Sequence, residues 1–418
     1  DLILRLKGLD FNNPRNLIFR LFKIRDLVEG NNGYTEGITY DFFVFFYYFE
    51  FNEKLQESLQ IYKKINVKII LDNFINIPYE FHLPGKSSLQ ANFDDYELGP
   101  FHNCFETVIL ALNVNYNSNL HGFINELFSS LSLTQKVSLL EFNNKKLPSS
   151  MNLPPSVAYK NLGIGSLRSG SKDTELAIFF KSSKGGIHKH FDQNNVLIGA
   201  KGNWILEDPG YQEFRPSHLR NFTLNTFGHN CLILNKKQQV KRTGKILHFE
   251  KNDIFSYISG SASACYPKQS YVNKYIRHVI LSSSKNLLIY DELSFSSKTN
   301  EIDSFWHFNN NMKVEIDGDN LVAFDKYNRV NMQIICAEKF KAKTQYISKN
   351  RQILNIKVSS NSEKVKLLYF FNINNDNKII RPIFDKGSDS KNLIFKFLGL
   401  KFEIGDTFSP NNISPEIS

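Results

Sequence analysis

The chain has 418 residues, of which 41% are hydrophobic and 22% charged, a composition typical of a globular protein long enough for two or more domains. Four scattered cysteines without CxxC spacing argue against a disulfide framework or a thiolate metal site, and the longest strongly apolar run, Phe42 to Phe49, is too short to span a membrane. The net charge of +10 favours a polyanionic partner, although a composition rich in Lys, Asn, Ile and Phe also accounts for it.

The first part of the chain carries helical patterns. It begins with Asp1 inside an apolar, helix-like segment and shows no signal peptide, so we expect a fragment or a processed chain. Asn13-Pro14 opens a segment with apolar residues at helical spacing, and Gly30 closes it. Further helices are predicted at 40–51, 67–75, 101–112 and 134–142. Consecutive helices with few strand signals predict helix hairpins over residues 1–150.

The composition changes at residues 147–161, which are rich in Pro, Ser and Asn and are predicted to form a linker. Beyond it, short β-rich runs alternate with turn residues. These runs are 176–180, 196–198, 204–206, 231–234, 275–281, 287–289, 330–335 and 365–371. Many short strands predict an antiparallel sandwich or stacked sheets over residues 151–418. Helices first and strands after predict an α+β protein with segregated domains.

The stretch from His188 to Asn230 concentrates ionisable residues that are costly to bury unless something organises them. His188 and His190 lie two residues apart, so in an extended strand both rings would face one site. Asp208 and His229 add further donors, enough for a zinc ion with three protein ligands. The alternative is that these are surface or satisfied buried polar residues. Asp192 would either orient a histidine or cap a loop.

A second candidate site lies in the helical part, where residues 31–41 read NNGYTEGITYD. Gly33 and Gly37 break the chain, and Thr35-Glu36 are positioned to begin the next helix. Tyr40 would then lie in the first turns of that helix, where its phenol could project into a cleft. The alternative is that Tyr40 packs in an aromatic core with its phenylalanine neighbours.

These motifs together resemble the heparinase II/III-like polysaccharide lyases. The resemblance rests on the run from His188 to Asp192, the turn Asp208-Pro209-Gly210-Tyr211, the pair His229-Asn230 and the upstream segment from Glu36 to Tyr40. It implies a partial N-terminal (α/α) toroid followed by a multi-sheet antiparallel β domain. It further implies that Tyr40 and His188 are catalytic and that His190, Asp208 and His229 bind a largely structural zinc.

The resemblance implies β-elimination on an acidic, uronic-acid-containing polysaccharide, with Glu36 in a supporting polar role at the substrate. The family's carboxylate-neutralising Asn or His precedes the tyrosine on a toroid helix, and we expect it upstream of residue 1. A bacterial enzyme of the periplasm, cell envelope or exterior is predicted, without a transmembrane segment. The alternative is a non-catalytic, zinc-stabilised glycan-binding or structural protein. Nucleic-acid binding is disfavoured, because no basic-aromatic motif is present, and the motifs specify neither the sugar nor the oligomeric state.

Overall fold

A computed structural model describes residues 76–95, 121–134, 136, 153–170, 175–184, 189–210, 215–348, 351–374, 382–385, 393–397, 400–405 and 408–415. The helices predicted at 13–30, 40–51, 67–75 and 101–112 lie outside these residues, as does most of the one at 134–142. Helix is present at residues 76–81, in α1 (His121–Ser130) and in α2 (His218–Leu224). Among the described residues, no helix has both the length and the apolar character needed to cross a bilayer.

The first strands form a hairpin and a five-stranded sheet. The hairpin pairs β1 (His82–Leu83) with β2 (Lys86–Gln90), and helical periodicity did not predict it. The sheet has the order β3-β4-β5-β6-β7, and all its pairs are antiparallel. Its strands are β3 (Val157–Tyr159), β4 (Ile164–Ser169), β5 (Leu176–Lys181), β6 (Asn195–Ala200) and β7 (Asn203–Leu206).

The next strands belong to two further antiparallel sheets. They are β8 (Leu232–Leu234), β9 (Lys245–Lys251), β10 (Phe255–Ser261), β11 (Val272–Ser282), β12 (Asn286–Phe295), β13 (Asn300–His307), β14 (Lys313–Asp317), β15 (Asn320–Phe324), β16 (Arg329–Cys336), β17 (Lys339–Ser348), β18 (Arg351–Ser360) and β19 (Lys364–Ile373). An eight-stranded sheet has the order β14-β15-β16-β19-β12-β11-β10-β9, and a four-stranded sheet has the order β17-β18-β13-β8.

The central strands β12 and β19 of the eight-stranded sheet are buried on both faces. On one face, Leu367, Tyr369 and Phe371 of β19 join a core that also contains the inner faces of the five-stranded and four-stranded sheets. On the other face, Leu368 and Phe370 pack against a smaller sheet. The strands of that sheet are β20 (Ile383–Phe384), β21 (Leu393–Phe397), β22 (Leu400–Ile404) and β23 (Ile413–Pro415). Alternate residues of one strand therefore serve two separate cores.

The predicted β-rich runs all fall on observed strands, to within a few residues at their ends. The turns between them also behave as predicted. Lys201 and Gly202 link β6 to β7, and Lys285 links β11 to β12, all three with positive φ. The antiparallel multi-sheet prediction for the second part of the chain is thus confirmed. The predicted boundary between residues 1–150 and 151–418 remains a prediction.

The hairpin at residues 82–90 docks onto the five-stranded sheet. The Gly202 amide donates to the Pro84 carbonyl at 2.6 Å. Gly85 has a φ of +79°, and a Cβ added there would lie 2.8 Å from the Gly202 nitrogen. Both the left-handed backbone and the close approach therefore require glycine at position 85.

Arg168 fastens the same segment to the sheet. Its buried guanidinium pairs with Glu175 at 2.5 Å and donates to the backbone carbonyls of Glu80 and His82. The Tyr159 hydroxyl donates to Glu80 Oε2 at 2.5 Å. Burial raises the pKa of Glu80 from 4.5 to about 7, although the Tyr159 hydrogen bond and the charge of Arg168 both act to lower it.

The raised pKa of Glu80 predicts a pH-dependent stability. A carboxyl that binds its proton more tightly in the folded chain stabilises the fold at low pH, and this contribution is lost as the pH rises from about 4.5 through about 7. We expect Glu80→Gln to remove it, so that between pH 5 and 8 the wild-type unfolding free energy falls by about 1–3 kcal/mol relative to the variant. Urea unfolding of both proteins across this range is the measurement. If the unfolding free energies of the two proteins change in parallel between pH 5 and 8, Glu80 does not titrate in that range.

Candidate metal centre

Three of the predicted site residues meet between β5 and β8. His190 lies in the loop before β6, Asp208 follows β7, and His229 ends a short 3₁₀ turn, Thr226–Gly228, that precedes β8. One potential ligand atom from each residue lies within 4.8 Å of the others. All three side chains are buried, with His190 only 2% exposed and the others fully enclosed. Residues up to 39 positions apart in sequence therefore converge on one interior point.

The donor atoms of this cluster are partly unused. His190 Nδ1 and His229 Nε2 are buried and have no hydrogen-bond partner among the described residues. The Asp208 carboxylate receives hydrogen bonds from the Gly210 amide at 3.0 Å, from Asn195 Nδ2 at 2.6 Å and from His229 Nδ1 at 2.7 Å. A buried imidazole nitrogen without a partner is costly, so the pair favours a further binding partner at this point.

Asp208 and His229 each shift the pKa of the other toward its charged form, so Asp208 stays ionised although it is buried. Burial alone would raise the pKa of Asp208, but the adjacent His229 ring holds it below its ordinary value. Burial alone would likewise lower the pKa of His229, and the Asp208 carboxylate raises it instead. Two imidazole nitrogens and a carboxylate are the donor types that Zn²⁺ accepts, so His190, Asp208 and His229 could hold such an ion.

Two asparagines fix the loops that carry the cluster. Asn195 donates from Nδ2 to the Asp208 carboxylate, and its Oδ1 accepts a hydrogen bond from the Asn230 backbone amide at 3.2 Å. Asn230 Nδ2 donates to the carbonyls of Val196 and Glu207, and its Oδ1 accepts from the His307 amide. Asn230, the residue after His229, thus bonds to β6 and to the ends of β7 and β13, which positions His229.

An acidic pair that sequence reasoning missed closes one side of the cluster. Asp94 and Asp95 follow the hairpin, and both are at most 2% exposed. Asp94 pairs with Lys181 and, at 2.9 Å, with Lys189, and it accepts from the His190 amide at 3.0 Å. Burial would raise the pKa of Asp94, but the two lysines lower it. Only a single DD dipeptide marked this pair in the sequence, and about a hundred residues separate it from its partners.

The strand predicted for His188 to Asp192 is not observed in the part that is described. Residues 189–192 form a loop. Their backbone amides bond to the Asp94 carboxylate and, through Phe191, to the Leu224 carbonyl, instead of to a neighbouring strand. Asp192 bonds to Lys181 at 2.5 Å and to Asn195 at 3.4 Å, so among the described residues its hydrogen bonds support the loop and none of them goes to the His190 ring.

The sequence profile of the heparinase II/III-like C-terminal domain matches residues 151–367, which is 217 of 418 residues and just over half of the chain. The chain belongs to the heparinase II/III-like family. No curated protein sequence shows significant similarity to it. The three candidate ligands and the five-stranded and four-stranded sheets all lie within the matched segment.

Solved structures of heparinase II/III-like proteins share its fold. The heparan sulfate lyase HepC from Pedobacter heparinus superposes with a TM-score of 0.65 at 15% identity, over 94% of this chain and 60% of its own. A heparinase III structure gives a TM-score of 0.64 at 15% identity, over 92% of this chain and 61% of its own. The chain therefore spans about 60% of the length of these heparinases.

The remaining predicted site residues of this heparinase II/III-like chain lie outside the described residues. These are Tyr40, His188 and Glu36. His188 immediately precedes the described loop, whose Lys189 and His190 are both held by the acidic pair. Of the cysteines in the described residues, Cys231 and Cys265 are buried, Cys336 is half-buried, and none forms a disulfide there.

Proposed function

We propose that this chain is part of a polysaccharide lyase that cleaves an acidic, uronic-acid-containing polysaccharide by β-elimination. The observation that carries the proposal is the convergence of His190, Asp208 and His229, with unpartnered ring nitrogens, inside the segment that matches the heparinase family. The fold likeness to proteins that include a heparan sulfate lyase supports the same conclusion.

The reaction removes the C5 proton of a uronic acid and breaks the bond between C4 and the bridging O4. The C5–H electron pair forms the C4=C5 double bond, and the departing O4 takes a proton. A C5 hydrogen next to a carboxylate is weakly acidic, so positive or hydrogen-bonding groups must stabilise the negative charge that develops on that carboxylate. We assign the two proton transfers to Tyr40 and His188, and a supporting polar contact with the sugar to Glu36.

We propose zinc as the ion held by His190, Asp208 and His229. Its role would be structural, since it would fix the loop that bears His188 next to the sheet. Hydrogen bonds and ion pairs among the described residues would hold these loops together with the ion. Asn195 and Asn230 hold the ligand loops to the strands, and Lys181 pairs with both Asp94 and Asp192, on either side of the loop that contains His190.

The long anionic substrate fits the charge of the chain, which carries 51 basic and 41 acidic residues. A polyanion and a net positive protein attract each other over distances set by the ionic strength. We propose that the toroid-like helical part supplies the other wall of the substrate groove, and that the enzyme works in the periplasm, the cell envelope or the exterior of a bacterium.

The test is a panel of uronic-acid polymers: heparin-like chains, alginate and bacterial exopolysaccharides. The full-length gene product is incubated with each polymer, and ultraviolet absorbance reports the unsaturated ends. Metal content is measured on the same preparation. We expect one or more polymers to yield unsaturated product. A preparation that binds these glycans and contains zinc but forms no such product with any of them would instead support a non-catalytic glycan-binding role.

A further inference from the structure

Asp95 contacts the candidate metal cluster from a part of the chain that precedes all three ligands in sequence. The Asp95 carboxylate accepts a hydrogen bond from His190 Nε2 at 2.9 Å, and both side chains are fully buried. With its proton on Nε2, the ring presents a lone pair at Nδ1, the atom that has no partner among the described residues. The contact therefore selects the tautomer of His190 that can bind a cation.

Arg220 binds the same oxygen of Asp95 as His190 does. Its Nη1 donates to Asp95 Oδ1 at 2.6 Å, and helix α2, capped by the Ser217 hydroxyl, carries it. A carboxylate between a guanidinium and an imidazole keeps its negative charge and its orientation. Asn92, three residues earlier, donates from Nδ2 to the Asp208 carbonyl at 2.7 Å. Residues 92–95 thus contact two of the three candidate ligands.

We infer that Asp95 is the outer carboxylate that orients His190 and increases its basicity as a metal ligand, so that residues 92–95 complete the metal centre from the N-terminal half. Metal-binding histidines commonly donate their second ring N–H to such a carboxylate, and its loss typically lowers metal affinity about 10–100-fold. Asp95 is a positioning residue here, since it acts through His190. The inference rests on the zinc site of the proposed function but not on the lyase activity.

The neighbouring carboxylate offers a matched control. Asp94 is as deeply buried and belongs to the same segment, but it pairs with lysines and with the His190 backbone amide, and it makes no described contact with the His190 ring. Asp94→Asn should lower the stability of the metal-free chain and should weaken zinc binding less than Asp95→Asn does, because it loosens the loop without removing the hydrogen bond that sets the His190 tautomer. Asp95→Asn should lower zinc affinity about 10–100-fold.

The experiment compares the whole chain with its Asp95→Asn and Asp94→Asn variants after metal removal. Zinc affinity is measured by competition with a chromophoric chelator, and cobalt absorption reports the ligand geometry. The inference is supported if Asp95→Asn weakens zinc binding more than Asp94→Asn does and only Asp95→Asn alters the cobalt spectrum. It is overturned if Asp95→Asn binds zinc as wild type does, or if both variants weaken it equally. Wild type without zinc affinity would overturn the metal site itself, whatever the lyase assay shows.

A second measurement needs no variant. Amide hydrogen exchange of the wild-type chain with and without zinc reports whether the ion holds residues 91–95 to the loop at 189–192. We expect zinc to slow exchange in both segments, because Asn92 and Asp95 each contact a ligand residue. Zinc-dependent protection confined to the ligand loops would overturn the role given to this segment.

Discussion

Replacing Asp291 by Ala is expected to lower the unfolding free energy by about 3–5 kcal/mol, because it leaves a buried arginine without its counter-ion. Arg277 and Asp291 face each other on β11 and β12 and are joined by two hydrogen bonds of 2.7 Å each. Both side chains are fully buried. Burial alone would lower the pKa of Arg277, but the Asp291 carboxylate raises it, so the guanidinium cannot escape the cost by losing its proton.

The same guanidinium connects the sheet to the metal centre. Arg277 Nη1 donates to the carbonyls of Asn194 at 2.8 Å and Asn230 at 2.6 Å, and the latter residue directly follows His229. The guanidinium also lies 5.2 Å from the centre of the Trp306 ring. Loss of Asp291 should therefore weaken zinc binding as well as stability, because Arg277 no longer has a fixed orientation from which to hold these two carbonyls.

Urea unfolding of the wild type and Asp291→Ala measures the effect, with Glu301→Ala as the control. Glu301 pairs with Lys236 at 3.4 Å on the surface, where both side chains are more than half exposed, so that variant should change stability by less than about 1 kcal/mol. Replacing Arg277 and Asp291 together with apolar residues should recover part of the loss, since no buried charge remains unpaired. Similar stabilities for Asp291→Ala and Glu301→Ala would contradict the argument.

The strands in the β part of the chain could be predicted because each is a short apolar run bounded by turn residues. In β12 and β19 nearly every residue is buried, and turn residues such as Lys201-Gly202 separate neighbouring strands. The convergence of His190, Asp208 and His229 was anticipated in another way. Their residue types beside turns marked them, together with His188, as possible donors. The resemblance to the heparinase II/III-like family then singled out these three as ligands, which stays a prediction.

The contacts that complete the site were not predictable in the same way. Asp94 and Asp95 bond to residues that follow them by 87 to 125 positions, and no local periodicity encodes such pairing. The failed strand prediction for residues 189–192 has the same origin. An isolated reading of alternating side chains favours a strand, but the Asp94 carboxylate and the Leu224 carbonyl satisfy the backbone amides of this run and leave it as a loop.

Replacing Tyr40 by Phe, or His188 by Ala, is expected to lower the rate of unsaturated-product formation by about 10²–10⁴-fold each, since each substitution removes one proton-transfer group. Tyrosine has an ordinary pKa of about 10, so nearby positive charge is required for it to act as a base near neutral pH. The phenol would then serve in one proton transfer and the imidazole in the other, and two groups on opposite faces of the sugar could accept both configurations at C5.

The decisive control separates chemistry from structure. Zinc content and urea midpoint should be unchanged in Tyr40→Phe, because the substitution removes a single hydroxyl, whereas His229→Ala should lose zinc and stability along with activity. If His188 acts only in proton transfer, His188→Ala should keep zinc affinity, since the proposed ligand set His190, Asp208 and His229 does not include it. Loss of zinc in His188→Ala would move that residue from the reaction to the metal centre. Undiminished product formation by both Tyr40→Phe and His188→Ala would refute their assignment to the two proton transfers.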